Sequence, residues 1–433
     1  MKKCLLLGNG GREAVLAENI IKGFSLYSVL PYENPSIVEY IEKSNGKYIL
    51  GDPFNKQLVK EFIEKEKIEY ALISSDNLLQ DGLIDLAKNM GLKTFGPTSL
   101  GSKIEWSKSY ALEIVEKIAP EMIIKNKRIT SEKELEEVMN LYNDDNFVVK
   151  PEGLTGGKGV KVGGVHFIGK QEGYNYALTC LKESGKVIVQ DKVEGREFTV
   201  TALTDGENLV ITPITFDYPY RLDGDKGPGT GGMGTLSFEN GLLPFLNKND
   251  IDQCSMLMKK VIQYINKDSM EFNGVLYGGF FKCKDGIKFI EFNARFGDPE
   301  SLNILNALET PFPEVIDHII NKTLTSDNCK FKKIYTFTIY IVSKDYAIRL
   351  NKEACIFNVN KKLIEEKGAK VYFANAKKIG SDTYTSVSNS RLLAIVTTGN
   401  SLEEAKDKAY NAINGNVDTK LDYRKDIGII YKH

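Results

Sequence analysis

The stretch GVLYGGFFKCKDGIKFIEFNARFGDPE, residues 274–300, decides how the rest of this chain is read. Its first part is apolar and strand-like, Asp285-Gly286 is a two-residue hairpin signal, and residues 287–292 read as the returning strand. On that strand Glu291 and Asn293 stand two apart, so alternation sends both side chains from one face of the sheet and Ile290 and Phe292 from the other. A carboxylate and an amide oxygen side by side, followed at once by Arg295, suit a hard cation and a phosphate. Alone, the pattern is more often an ion-paired strand end, so flanking segments must decide. The helix in DPESLNILNAL is expected to begin with Asp298 as N-cap and Pro299 as its first residue.

The chain has 433 residues, room for about three domains. With 57 basic and 58 acidic residues the balance is near neutral, so neither a nucleic-acid groove nor an anionic membrane is advertised, and an anionic ligand must be met by local groups. The 6 cysteines contain no C-x-x-C pair and sit mostly in apolar or strand-like contexts, which points to reduced thiols and a cytoplasmic protein. The apolar run in MKKCLLLGNG is too short for a signal sequence or a membrane span. Only 3 histidines occur, which disfavours histidine-centred catalysis and zinc.

From residue 1 to about 103, apolar runs (CLLL, LYSVL, YALIS, KTFG) alternate with helix-like segments. This is the rhythm of an open parallel α/β sheet, whose ligands gather beyond the carboxyl ends of the strands. The first such end is GNGGRE, where Gly8, Gly10 and Gly11 could bring amides to an anion and Arg12 adds donors; a tight strand-to-helix turn explains it equally.

A helix carrying Lys108 is expected over about 105–117, and Ser131 with Glu134 reads as a capping box after a polar segment at 126–130. The strand NFVVK ends in Lys150 and leads into PEGLTGGKGVKV, a glycine-rich loop able to close over polyphosphate. VIVQDKVEGREFTVTALTDGENLVITPITF reads as two or three strands, with hairpin signals at Glu194-Gly195 and Asp205-Gly206. RLDGDKGPGTGGMG, residues 221–234, has no strand or helix period and reads as a long irregular, functional loop. From about residue 330 the chain is strand-rich and ends in an α+β unit.

Together GNGGRE, FGP with a spaced E-x-S-K, KPEGLTGGKGV, EGRE, DGDKGPGTGGMG, GVLYGG, IEFNARFGDPE and YRKDIG resemble the phosphoribosylamine–glycine ligase (glycinamide ribonucleotide synthetase) family of the ATP-grasp superfamily. The resemblance implies an N-terminal pre-ATP-grasp α/β domain (1–103), an ATP-grasp domain (104–328, flap about 122–190) and a small C-terminal α+β domain (329–433). It implies ATP with Mg2+ or Mn2+, glycine and 5-phosphoribosylamine as small-molecule partners, and a monomer or weak dimer. Lys108, Lys150, Gly153, Gly156, Gly157, Lys158 and Gly159 would hold the ATP phosphates, Gln190, Asp191 and Val193 the adenine, and Glu197 the ribose. Glu291 and Asn293 would hold the metal, and Lys150, Arg295 and Asp298 would be catalytic. Gly10, Gly11, Arg12, Glu13, Asp217, Asp223, Lys226, Gly231, Gly232 and Arg295 would face the substrates.

The chain departs from the family pattern at Ala14, where a histidine is usual, and at Tyr218 to Tyr220, where cations are expected and Arg221 would compensate. Asn389 and Ser390 replace two glycines before Arg391, and Ala347 replaces a proline. These departures keep open a related ATP-grasp ligase joining another carboxylate and amine. A nicotinamide oxidoreductase is disfavoured by Glu13 at the third glycine position, and a non-catalytic nucleotide binder by the retained Glu291, Asn293 and flap lysines.

Overall fold

Five parallel strands open the chain, ordered Lys47–Leu50, Phe24–Leu30, Lys2–Leu7, Tyr70–Ile73 and Lys93–Phe95. The computed structural model describes residues 1–154, 159–268, 270–349 and 353–430. The expected α/β rhythm is present, with one further unit, the strand Lys47–Leu50 and the helix Lys56–Glu66. That strand lies at the sheet edge with its residues half-buried or exposed, so it lacks the apolar run that marks its buried neighbours. The order reverses around Lys2–Leu7, which opens a crevice at its carboxyl end.

A four-stranded antiparallel sheet follows, ordered Asn126–Ile129, Val187–Asp191, Phe147–Pro151 and Lys161–Val162. Helices Glu132–Met139 and Lys170–Ser184 cover it, and Phe147, Val149, Leu135 and Ala177 give it a core of its own. The polar segment before Ser131 is therefore an edge strand whose Ile129 alone is fully buried. Ser131 accepts the Glu134 amide at 3.3 Å, while the Glu134 carboxylate reaches back to Thr130 N at 2.8 Å.

The largest sheet is antiparallel and runs Gly286–Asn293, Gly274–Cys283, Arg196–Thr204, Thr215–Asp217, Gly234–Ser237, Tyr335–Ser343, Leu393–Gly399 and Lys370–Phe373. It is continuous from the central segment into the C-terminal segment, joined where Gly234–Ser237 pairs with Tyr335–Ser343. Helices Lys108–Ile118 and Lys248–Lys267 pack on one end of it, and Leu402–Ile413 on the other.

Three local expectations are corrected. Glu194-Gly195 is no hairpin: Val187–Asp191 pairs within the smaller sheet and Arg196–Thr204 within the larger, so residues 192–195 cross between them. Residues 221–234 are not wholly irregular, because Tyr220–Leu222 and Lys226–Gly229 form a two-stranded ribbon. The central hairpin turns at Lys284-Asp285, one residue earlier than read, since Cys283 pairs with Gly286, whose φ of +120° suits glycine.

Candidate active site

Between the smaller sheet and the larger one lies a cleft of about 590 Å³, closed at one end by the carboxyl edge of the N-terminal sheet. Ala111, Leu112, Ile124, Val148, Phe281 and Phe289 make one part of it apolar, beside the crossing at 192–195. Gln190 and Asp191 line this slot, but the Asp191 carboxylate accepts from Tyr142 Oη at 2.7 Å and Gln190 Nε2 donates to Ile124 O at 3.5 Å. Their side chains are committed, so what they and Val193 can offer a flat ring is main chain. Glu197 lines the same cleft; the protein around it and neighbouring Glu291 push its pKa up to about 7 against the pull of Lys150, although cleft solvent still reaches the carboxylate and screens it.

Two lysines enter, one from the smaller sheet and one from the amino end of the helix Lys108–Ile118. Lys150, at the end of a buried strand, is itself buried and donates to Ile290 O at 3.4 Å. Burial lowers its pKa to about 8, with Glu291 opposing and Lys108 reinforcing the shift. Lys108 donates to Gly153 O at 2.5 Å, and Glu152 next to it accepts from Ser107 Oγ at 2.7 Å and Ser109 Oγ at 2.8 Å. The glycine-rich loop thus starts pinned to the amino end of helix Lys108–Ile118, where its carboxylate also meets a favourable dipole. Gly153 and Gly159 flank the cleft without lining it, and Gly156, Gly157 and Lys158 lie outside the described residues.

Glu291, Asn293 and Arg295 line the cleft opposite Lys150. A β-bulge intervenes: Glu291 pairs with Gly279 and Phe289 with Phe280, leaving Ile290 extra and its carbonyl turned to Lys150. Ile290, expected to point away with Phe292, therefore lines the cleft, and Phe289 and Phe292 form part of the same wall with their rings buried in the core behind it. No cluster of three His, Cys, Asp or Glu able to hold a metal occurs among the described residues. Two hard oxygen donors, Glu291 and Asn293, fit Mg2+, which would keep waters and find further ligands on a bound polyphosphate.

Arg295 meets a residue to which the sequence reading gave no role. Its Nη2 lies 2.9 Å from Glu105 Oε1 and donates to Asn293 Oδ1 at 3.1 Å. Glu105 is the acid of the E-x-S-K motif, and burial raises its pKa while Arg295 opposes. Arg12 and Arg295 both donate to Phe296 O at 3.2 Å, so two guanidiniums converge on one carbonyl. Asp76, beyond the strand Tyr70–Ile73, also lines the cleft; burial would lift its carboxyl, yet Arg295 and Arg12 hold it below the usual range. Only its place at the carboxyl end of a parallel strand could have marked it.

The substrate end differs from expectation at several residues. Glu13 is buried and faces inward: its carboxylate accepts the Gly10 amide at 2.8 Å and pairs with Arg12 Nε at 2.7 Å, occupying the anion slot proposed for GNGGRE. Gly10 and Gly11 do not line the cleft; a β-carbon on Gly11 would collide with the Tyr340 hydroxyl. Asp223 and Lys226 sit at the ribbon tip, where Asp223 accepts the Lys425 amide at 2.9 Å, away from the cleft. Arg221 does not compensate there either, being buried and bonded to Asp422 Oδ2 at 2.8 Å. Asp217, Tyr220, Gly231 and Asp298 do line the cleft, and Gly232 lies directly behind Asp217 Oδ1. Burial, with Glu300 acting in the same sense, holds Asp217 well above the usual carboxylate range against the pull of Arg391.

Asp298 is not the expected N-cap, a place taken by Pro299 before Glu300–Ala307. Its carboxylate instead accepts from Tyr340 Oη at 2.5 Å and lies 3.3 Å from Arg391 Nη2. Arg391, also without an assigned role, donates to Gly231 O at 2.5 Å and Gly232 O at 3.0 Å and stacks 4.3 Å over the Tyr340 ring. It ties the glycine-rich turn to the hairpin motif from the C-terminal segment.

A small antiparallel flap over a larger sheet, with lysines above and an acid–amide pair below one cleft, defines an ATP-grasp ligase. Family models for the phosphoribosylglycinamide synthetase N domain, ATP-grasp (A) domain and C domain match residues 2–105, 106–301 and 336–429. The chain belongs to the phosphoribosylglycinamide synthetase family. It is 37% identical over 431 residues to the phosphoribosylamine–glycine ligase of Pyrococcus furiosus, covering 99% of this chain and 94% of that one. It is 36% identical over 444 residues to the same-named protein of Methanococcus maripaludis strain S2, covering 99% and 96%. Among solved structures, phosphoribosylamine–glycine ligase from Thermotoga maritima superposes with a TM-score of 0.79 at 23% identity, covering 98% of this chain and 100% of that one. A biotin carboxylase domain from Hydrogenobacter thermophilus, in complex with MgADP, ADP and bicarbonate, shares the fold with a TM-score of 0.69 at 13% identity, covering 98% and 92%. Among the described residues no helix is long and apolar enough to cross a membrane.

Proposed function

We propose that the chain joins glycine to 5-phosphoribosylamine at the expense of ATP, giving glycinamide ribonucleotide, ADP and phosphate, a step of purine biosynthesis. The family membership and the full-length relatives support the activity. The observation that carries the site reading is the facing of Lys150 and Lys108 by Glu291, Asn293 and Arg295 across one cleft. ATP lies with its base in the apolar slot beside 192–195, its ribose near Glu197 and its phosphates between the lysines and the hairpin. Mg2+, held by Glu291 and Asn293, would offset the charge of the polyphosphate.

The glycine carboxylate attacks the γ-phosphorus, the bond to the ADP oxygen breaks, and glycyl phosphate forms. The amine of phosphoribosylamine then attacks the acyl carbon, phosphate leaves with the bonding pair, and the amine proton passes to solvent or phosphate. Lys150, Lys108 and Arg295 stabilise charge on the transferred phosphoryl group, and a closed flap keeps water from the acyl phosphate. The chain is organised for this as units 1–103, 104–328 with a flap at about 122–190, and 329–433.

Of the departures from the family pattern, Pro219 and Tyr220 line the cleft and keep a different acceptor testable, whereas Ala14 and Tyr218 do not bear on it. Ala14 is fully buried in the N-terminal core, and Tyr218 is fully buried with its hydroxyl accepting the Gly428 amide at 2.9 Å. Neither side chain reaches the cleft. The test is phosphate release from Mg·ATP with glycine, with and without freshly generated phosphoribosylamine, beside other amino acids and amines. Release needing both, with glycinamide ribonucleotide seen by mass spectrometry, is the expected result; release driven by another pair would replace this reading.

A further inference from the structure

We propose that Glu105 is the positioning residue that orients the metal-binding amide, acting on Asn293 through Arg295; this rests on the reading of Glu291 and Asn293 as the metal site. Glu105 meets the exit of the central hairpin through one hydrogen bond and one ion pair. Oε2 accepts the Ala294 amide at 2.8 Å and Oε1 pairs with Arg295 Nη2 at 2.9 Å. The pair is nearly out of solvent, with side-chain exposures of 4% for Glu105 and 17% for Arg295, so it is screened little by salt.

The same Nη2 donates to Asn293 Oδ1 at 3.1 Å, and Asn293 Nδ2 faces Glu291 Oε1 at 3.4 Å. A guanidinium can only donate, so it forces the amide to present oxygen on the Arg295 side. One lone pair of that oxygen is used, and the other is left for a cation. Arg295 itself needs restraint, because Arg12 converges on the same Phe296 carbonyl and the two positive charges repel. Glu105 supplies an opposing charge from the short helix Lys103–Trp106, outside the hairpin, and Asp76 a second one from beyond the strand Tyr70–Ile73. Without Glu105, Arg295 can swing from Asn293, and the amide oxygen loses the donor that fixes its direction.

The chosen change is Glu105→Gln, which keeps the size and an acceptor for Ala294 N but removes the charge. Bound Mn2+ is counted by electron paramagnetic resonance in the presence of ATP, alongside steady-state kinetics. Mn2+ affinity and kcat should fall roughly 10–100-fold, the scale for losing a ligand-orienting partner, while KM for ATP at saturating metal stays within about 3-fold. Glu105→Asp should restore part of the Mn2+ affinity. Wild-type Mn2+ affinity in Glu105→Gln overturns the inference. Should that variant fail to fold, Arg295→Lys, which keeps the charge but loses the fork, must show the same loss of Mn2+ affinity, and its failure to do so has the same force. Glu291→Gln separates the two levels: if it binds Mn2+ normally the metal site itself is misplaced, and if it alone loses Mn2+ only the relay is wrong.

Discussion

Tyr340 donates its hydroxyl to Asp298 Oδ1 at 2.5 Å, spanning from the C-terminal segment to the end of the central hairpin motif, and Gly11 lies beneath that contact. The glycine at the start of helix Gly11–Ile20 is thus needed for space and not for an approaching phosphate. Gly11→Ala should lower stability by about 1–3 kcal/mol, the usual cost of overpacking. Adding Tyr340→Phe, which removes the colliding oxygen, should recover part of that loss in a double-mutant cycle followed by urea unfolding. Strictly additive losses would show that the contact is not the cause.

The lowered pKa of Lys150, about 8, sets a pH signature for nucleotide binding. A polyphosphate beside this ammonium raises its pKa, so protonation and ATP binding favour each other. Affinity is therefore full below the free-enzyme value of about 8 and falls as pH rises above it, by up to about tenfold per pH unit until the bound-state pKa is reached. Calorimetric ATP titrations from about pH 7 to about pH 10 test this, with Lys150→Arg as the control that should flatten the profile. A flat wild-type profile would remove Lys150 from the phosphate site.

Glu291→Ala should abolish magnesium-dependent turnover while the melting temperature stays near that of the wild type, because the side chain is half-exposed in the cleft. Calorimetry with Mn2+ and ATP should show no metal uptake. Unchanged turnover would move the metal elsewhere.

Arg424 is fully buried and holds Asp426 at 2.6 Å and Asp225 at 2.7 Å. Arg424→Met takes the cation from two buried carboxylates and should cost roughly 3–5 kcal/mol. The network anchors the ribbon tip and, through Arg424 Nη1 donating to Tyr220 O at 3.0 Å, one wall of the cleft, so KM for ATP should rise together with the loss of stability. Denaturant curves beside initial rates decide, and a raised KM with wild-type stability would place Arg424 in the site.

Most of what a local period can carry is legible in the chain itself. The N-terminal parallel sheet, the central hairpin, the strand ending in Lys150 and the helix Lys108–Ile118 follow from apolar runs and their spacing. What escapes is either weakly patterned or long-range. The edge strand Lys47–Leu50 buries too little to show a pattern, and the ribbon at 220–229 is mostly glycine, charge and proline held by contacts to residues 422–426. Glu105 meets Ala294 across 189 residues, and Arg391 meets Gly231 across 160. Such partners have no signature in either neighbourhood alone. Glu13 shows the complementary failure, since a correctly located glycine turn is filled by the chain's own carboxylate.

The strand pairing of Gly234–Ser237 with Tyr335–Ser343 bears on how this polypeptide can be divided. Cutting the chain near residue 328 would strip a central ladder and leave a row of open amides and carbonyls beside apolar residues such as Leu236, a template for aggregation. The segments that sequence families treat as separate modules would then melt as one cooperative body. The flap, with its own closed core, is the piece that could be grafted, swapped or unfolded by itself.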